Sequence, residues 1–284
     1  MGAAGLIEIK RRIKSVESTR KITKAMGLVA TSKLRKARKE LVLNEQYSKT
    51  CEEVSKEVFS SISDEYESIY FNNYRNGEKL YVVLTSDTGM CAGYNGNIAM
   101  YLKKQLQDND NGEKVIVIGR KGISAIKKYG IDSFLEFVNI PDIPTANEVN
   151  KIYNTILSLY EKGEVSEVNI VYTEFITPSK QELKCEKILP FKKEKENDRC
   201  DYILEPNKEE ILNNVVAMYL KNIIKRYMLS SKASEQSARM SAMDGATENA
   251  NDILQGLYKK FNRIRQGIIT QEISEIVSGA EAQK

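Results

Sequence analysis

Of the chain's 284 residues, 41% are hydrophobic and 29% charged, with a formal net charge of +4; this balance supports a buried core and excludes compositional disorder. There is no histidine and no tryptophan, which excludes Ser-His-Asp and Cys-His mechanisms and any zinc site that needs imidazole. Cys51, Cys91, Cys185 and Cys200 are far apart without a C-x-x-C pair and read as reduced thiols, and no run reaches the ~20 apolar residues of a membrane span or the length of a signal peptide's apolar core. The expectation is a soluble, cytoplasmic protein.

From residue 6 to about 60 there is no proline and one internal glycine, Gly27. Apolar or small residues recur three or four apart: Leu6, Ile9, Ile13, Val16, Thr19, Ile22, Met26, Val29, Leu34, Ala37 and Leu41, then Tyr47, Cys51, Val54 and Val58. This pattern predicts a long helix with a coiled-coil seam. Residues 10–39 also hold twelve Lys or Arg against the single acid Glu17, so a basic rod is joined to a mildly acidic remainder.

Residues 79–190 alternate strand and helix signals. Strands are predicted over 80–87, 114–119, 134–138 and 168–175, and helices over 97–106, 121–129 and 148–162, which implies a mainly parallel sheet flanked by helices. The stretch 181–190 reads as an added edge strand and 192–201 as a solvated charged loop. Gly89, Gly93 and Gly96, in SDTGMCAGYNG after the first strand, match neither G-x-G-x-x-G nor G-x-x-x-x-G-K-[ST] and are read as a tight turn that leaves Cys91 partly buried.

All five prolines fall between Pro141 and Pro206, and Pro206 suits the start of a second long helix. Its stripe runs through Met243, Ala246, Ala250, Ile253, Leu257, Phe261, Ile264 and Ile268. Helices of about 55 and 75 residues would be roughly 80 and 110 Å long, and neither is stable in water without burying its seam. Each is the other's simplest partner, and the topology makes them antiparallel. With the ends near 60 and 207 level, Met26 should face Met240–Ser241 and Ile9 should face Tyr258. About seventeen residues should then extend alone, with the stripe Ile269, Ile273, Ile276 and Ala280 in need of an external partner. The expected divisions are 1–62, an N-terminal helix; 63–206, a central Rossmann-like α/β domain; and 207–284, a C-terminal helix with a protruding tip.

The segments IKRRIKSVESTRKITKAMGLVATSKLRKA and ASEQSARMSAMDGATENA…NRIRQGIITQEISEIVSGAEA resemble the gamma-subunit family of F-type ATP synthases. The central SDTGMCAGYN resembles the family's loop too, with Thr88 where arginine and Ala92 where glycine are usual. The resemblance implies an antiparallel coiled coil bearing an α/β domain, turning inside a ring of three alpha and three beta subunits. The foot of the shaft would join a membrane c-ring driven by protons or sodium, with an epsilon subunit beside it, peripheral to the cytoplasmic face of the cell membrane. ATP chemistry and its Mg²⁺ would belong to beta, so no catalytic, cofactor or metal residue is implied in this chain. The expected contacts with alpha and beta are Lys10, Arg11, Lys24, Met26, Arg35, Lys36, Glu235, Arg239, Arg265, Gln266, Thr270, Glu272, Ile273 and Ile276.

Each of these residues has a plainer reading. The basic stretch can be a solvated helix face or, in the alternative function, the phosphate-binding face of a nucleic-acid-binding coiled coil. Met26 can be a seam residue against Met240, Glu235 and Arg239 can pair with each other at i,i+4, and Arg265 and Gln266 can be ordinary solvated residues. Without the dithiol insert of some chloroplast relatives, no thiol control is expected.

Overall fold

A computed structural model describes residues 2–61, 68–71, 77–107, 112–191, 205 and 207–282, with side chains from residue 5 onward. The elements are α1 (Gly2–Ser61), β1 (Glu78–Leu84), α2 (Tyr94–Gln107), β2 (Glu113–Ile118), α3 (Arg120–Lys127), β3 (Leu135–Phe137), α4 (Ala146–Glu161), β4 (Val165–Thr177), β5 (Lys180–Leu189) and α5 (Lys208–Glu281). They form two compact units, Met1–Ala30 with Arg239–Lys284, and Thr31–Ala238. This grouping cuts through both long helices and so differs from the three-part division by chain order. Pro206, Cys200 and the 192–201 stretch lie outside the described residues.

The first unit is an antiparallel helix pair. Ile9, Ile13 and Leu254 are buried together, with Val16, Leu257, Phe261 and Ile264 packed against them. The inward positions of α1 here are Ile9, Ile13, Val16, Arg20, Thr23, Gly27 and Ala30, spaced alternately four and three apart, with Leu6, Glu17 and Met26 half-buried at or beside them; the same spacing runs through Leu34, Ala37, Leu41, Asn44, Ser48, Cys51 and Ser55 within the second unit. This is an unbroken heptad seam. The predicted seam departs from it where small and polar residues take the a and d positions, and Ile22 and Val29 prove to be 59% and 54% exposed. Tyr47 and Val54 are exposed for the same reason, and on α5 it is Leu254 that is buried while its neighbour Ile253 is exposed.

The register also needs correction. The Thr23 and Thr247 hydroxyls are 2.8 Å apart. A Cβ on Gly27 would meet Asp244 Oδ1 at 3.1 Å and Met243 Cβ at 3.5 Å. Tyr258 is not beside Ile9; its hydroxyl donates to Glu17 Oε1 at 2.7 Å. The facing residues of α5 therefore lie nearly one turn further along than level ends imply. The ends are not level because Leu212 and Val216, in the first turns of α5, pack into the α/β core, and the α5 ring that meets Phe59 is that of Tyr219, at 6.4 Å, well past the start of that helix.

In the second unit the Val- and Ile-rich runs form a five-stranded sheet in the order β3-β2-β1-β4-β5. β1 pairs in parallel with β2 and β4, β2 with β3, and β5 is the antiparallel edge strand beside β4. One face packs Leu80, Val82, Ile116 and Ile170 against α4 and against Leu212, Val216, Leu220 and Ile224 of α5. The other packs Tyr81, Val83, Val115 and Val117 against Ile98 and Leu102 of α2 and Ile126 of α3. Side chains alternate between the faces along each strand, and both faces are covered, which is why the strands read as continuous apolar runs. Helix α4 starts on a Thr145/Glu148 capping box, and Asn207 Oδ1 accepts from Glu210 N at 2.8 Å to cap α5.

Candidate functional site

In the first unit the residues expected to meet a partner are held outward by the seam on their helices' opposite sides. Lys10, Arg11 and Lys24 are exposed on α1, and Met26 is half-exposed beside the seam glycine. Lys10 Nζ also sits 5.7 Å from the centre of the Phe261 ring, the long stem covering an apolar seam end while the charge stays in water. Sequence reasoning missed Ile22, Leu28 and Val29, which are exposed beside these cations. Counting strict heptads from Ile9 and Ile13 would have found them.

Beyond Ile268 every described residue of α5 is exposed. Arg265, Gln266, Thr270, Glu272, Ile273 and Ile276 share this surface, with Ile273 56% and Ile276 71% exposed. Ile269 and Val277 add to the apolar stripe. The polar side chains here turn back on their own helix, Thr270 donating to the Gln266 carbonyl and Gln271 to Glu275 Oε1. Among the described residues, none covers this stripe.

In the second unit Arg35 and Lys36 are exposed, while Lys33 pairs with Asp142 at 2.9 Å. Glu235 of this unit and Arg239 of the first are both buried, and Glu235 accepts from Lys232, itself buried, at 3.3 Å.

The turn after β1 is a polar knot. Asp87 accepts from the backbone N–H groups of Arg120, Asn139 and Ile140, joining the ends of β1, β2 and β3. Met90 and Ala92 take positive φ of 60° and 49°, so Ala92 holds a left-handed conformation that glycine would adopt without strain. Cys91 is fully buried rather than partly so. Burial pushes the Cys185 thiol up to about 11 and raises the Tyr94 phenol well above its ordinary value, so neither is poised for chemistry.

The family model described as ATP synthase matches residues 5–283. An ATP synthase gamma chain of Clostridium botulinum (strain Eklund 17B / Type B) is 54% identical over the whole of both chains, and one of Clostridium beijerinckii is 50% identical over the whole of both. The chain belongs to the ATP synthase gamma chain family. The fold of this gamma-family chain is shared with a chain in the structure of the Euglena gracilis mitochondrial ATP synthase OSCP/F1/c-ring in rotational state 3. The TM-score there is 0.73 and the identity 18%, with 99% of this chain and 95% of that chain covered. A chain from the rotor of the same Euglena enzyme gives a TM-score of 0.70 at 15% identity, covering 94% and 99%.

Proposed function

We propose that this chain is the central rotor shaft of an F-type ATP synthase, coupling transmembrane ion flow to ATP synthesis or hydrolysis in the beta subunits. The observation that carries this reading is the α5 tip beyond Ile268, an amphipathic helix whose apolar stripe is exposed and has no partner among the described residues. A ring of alpha and beta subunits supplies that partner. The exposed cations Lys10, Arg11, Lys24, Arg35 and Lys36, with Met26, Arg265, Gln266, Thr270 and Glu272, form the remaining contact surface. Charge contacts that hold weakly and re-form suit a sliding interface. Each shaft angle would favour a different set of beta conformations through differential contacts, which is a coupling free energy. The catalytic groups and Mg²⁺ belong to beta in this reading, and this chain contributes contacts alone.

The solved relatives are described as rotor, central stalk and c-ring assemblies, which supports c-ring attachment; a peripheral place at the cytoplasmic face of the membrane, with epsilon as a further stalk partner, belongs to the same proposal. Among the described residues no helix is long and apolar enough to cross a membrane. The nucleic-acid-binding alternative draws only on the basic stretch, and no named relative favours it. The test is rotation: alpha and beta immobilised on a surface, with a bead fixed through Lys104→Cys on exposed α2. The expected result is unidirectional turning on ATP addition. A complex that fails to form, or a bead that stays still while ATP is hydrolysed, overturns the reading.

A further inference from the structure

Open α/β sheets take their ligands in the crevice beyond the carboxyl ends of the strands, where successive connections change side. Here α2 and α3 cover one face and α4 the other, so the strand order places that point between β1 and β4. It is filled by the chain's own helix. Residues 228–237 of α5 are all buried, yet seven of the ten are serine, lysine, glutamate or glutamine (Ser230, Ser231, Lys232, Ser234, Glu235, Gln236 and Ser237), an unusual composition for an interior helix.

The hydrogen bonds explain the composition. β1 stops at Leu84, whereas its parallel neighbour β4 runs on to Thr177, leaving ladder groups of β4 without a strand beside them. Serine hydroxyls take the strand's place: Ser234 donates to the Thr173 carbonyl at 3.0 Å, and Ser230 accepts from Phe175 N at 2.8 Å. On the β1 side Tyr94, in the first turn of α2, donates to the Ser231 carbonyl at 3.0 Å, with its hydroxyl 2.7 Å from Ser231 Oγ. Ser237 donates to the Pro178 carbonyl at 2.7 Å.

We propose that the Ser230–Ser237 segment is the built-in ligand of the α/β domain, and that Tyr94, Ser230, Ser231 and Ser234 are positioning residues that fix the shaft helix against rotation within that domain. An apolar helix face is held without directional preference and can roll under load. Hydroxyls bonded to fixed backbone groups set both the angle and the axial register, and leaving those groups unmatched in the interior is costly. The crevice that would hold a nucleotide in an open α/β sheet here holds a torque connection.

This inference rests on the rotor reading and is tested in the complete membrane-bound complex, with Ser230→Ala/Ser231→Ala/Ser234→Ala against the parent. Two quantities are read: ions pumped per ATP hydrolysed, and amide exchange at Phe175. The variant should hydrolyse ATP but pump fewer ions per ATP, and Phe175 should exchange roughly tenfold faster, as expected for losing one buried hydrogen bond. A parental value for either quantity overturns the proposal; faster exchange with unchanged coupling marks the serines as structural only. If the triple variant does not fold, Tyr94→Phe and Ser230→Ala, made singly, carry the same comparison. A parent complex that hydrolyses ATP without pumping counts against the rotor reading instead.

Discussion

The helix register is open to a direct chemical test through Thr23 and Thr247, whose hydroxyl oxygens lie 2.8 Å apart at the centre of the seam. Replacing both with cysteine puts two sulfurs where those oxygens stand, within reach of a disulfide's ~2.05 Å bond after a small rotation. The native cysteines are replaced first, Cys51 included because it sits on the seam. The bridge closes a loop of 224 residues, for which the chain-entropy relation gives about 5 kcal/mol of stabilisation as an upper figure. Mild oxidation should give a monomeric species of altered mobility on a non-reducing gel, melting later than its reduced form. Pairing residue 23 with 243 or 250 shifts one partner by about a turn, roughly 5 Å, and should bridge poorly. Bridging of 23 with 243 in preference to 247 would return the register to the level-ended arrangement and refute the heptad assignment made here.

Gly122→Ala would drive a Cβ into Thr85 Oγ1, whose hydroxyl donates to the Ile118 carbonyl, so it should destabilise the second unit by about 1–3 kcal/mol in denaturant titrations, with Thr85→Ala in the same chain recovering part of the loss. Ile273→Asp/Ile276→Asp should leave the isolated chain's melting within about 0.5 kcal/mol of the parent while lowering the yield of complex with alpha and beta; a parental yield would remove the tip from the interface. Burial raises the Tyr70 phenol to about 12 and moves Tyr172 and Tyr227 upward as well. Because the folded values exceed the unfolded one, their contribution to stability is full below pH 10 and declines as pH rises from 10 towards 12. Ultraviolet difference titration should show these phenols ionising together with unfolding, and early ionisation of all fifteen tyrosines would contradict their burial.

The alternation of strand and helix signals located every element of the central sheet because buried parallel strands are apolar runs bounded by turn residues, as at Leu80–Leu84 and Val115–Ile118. The long helices were equally plain, but their seam was not. Apolarity tracks burial where Ile9, Ile13, Leu34 and Leu41 fill it, then fails where Arg20, Thr23, Gly27 and Ala30 take the same positions and Ile22 and Val29 stand in water. Spacing alone should have outranked residue type there. Ser230–Ser237 was opaque for a different reason: its burial follows from an overhanging strand elsewhere in the chain, which no local pattern records. Glu235 lies within that segment and shares its burial.

The stretch of α5 from Ile269 to Glu281 carries Glu272, Glu275 and Glu281 and no lysine or arginine. Where α5 lies beside α1, the two antiparallel peptide dipoles oppose one another; along this stretch the negative end of α5 has no such counterweight, and its last turn has no basic residue to offset it. The first unit is therefore electrically two-toned, a cationic sleeve on α1 and an anionic, greasy point on α5. Added salt loosens the sleeve's grip, while it leaves apolar burial at the point intact or strengthens it when the anion is sulfate or phosphate. Ionic strength and choice of anion thus act as two separate controls on how this chain seats in whatever encloses it.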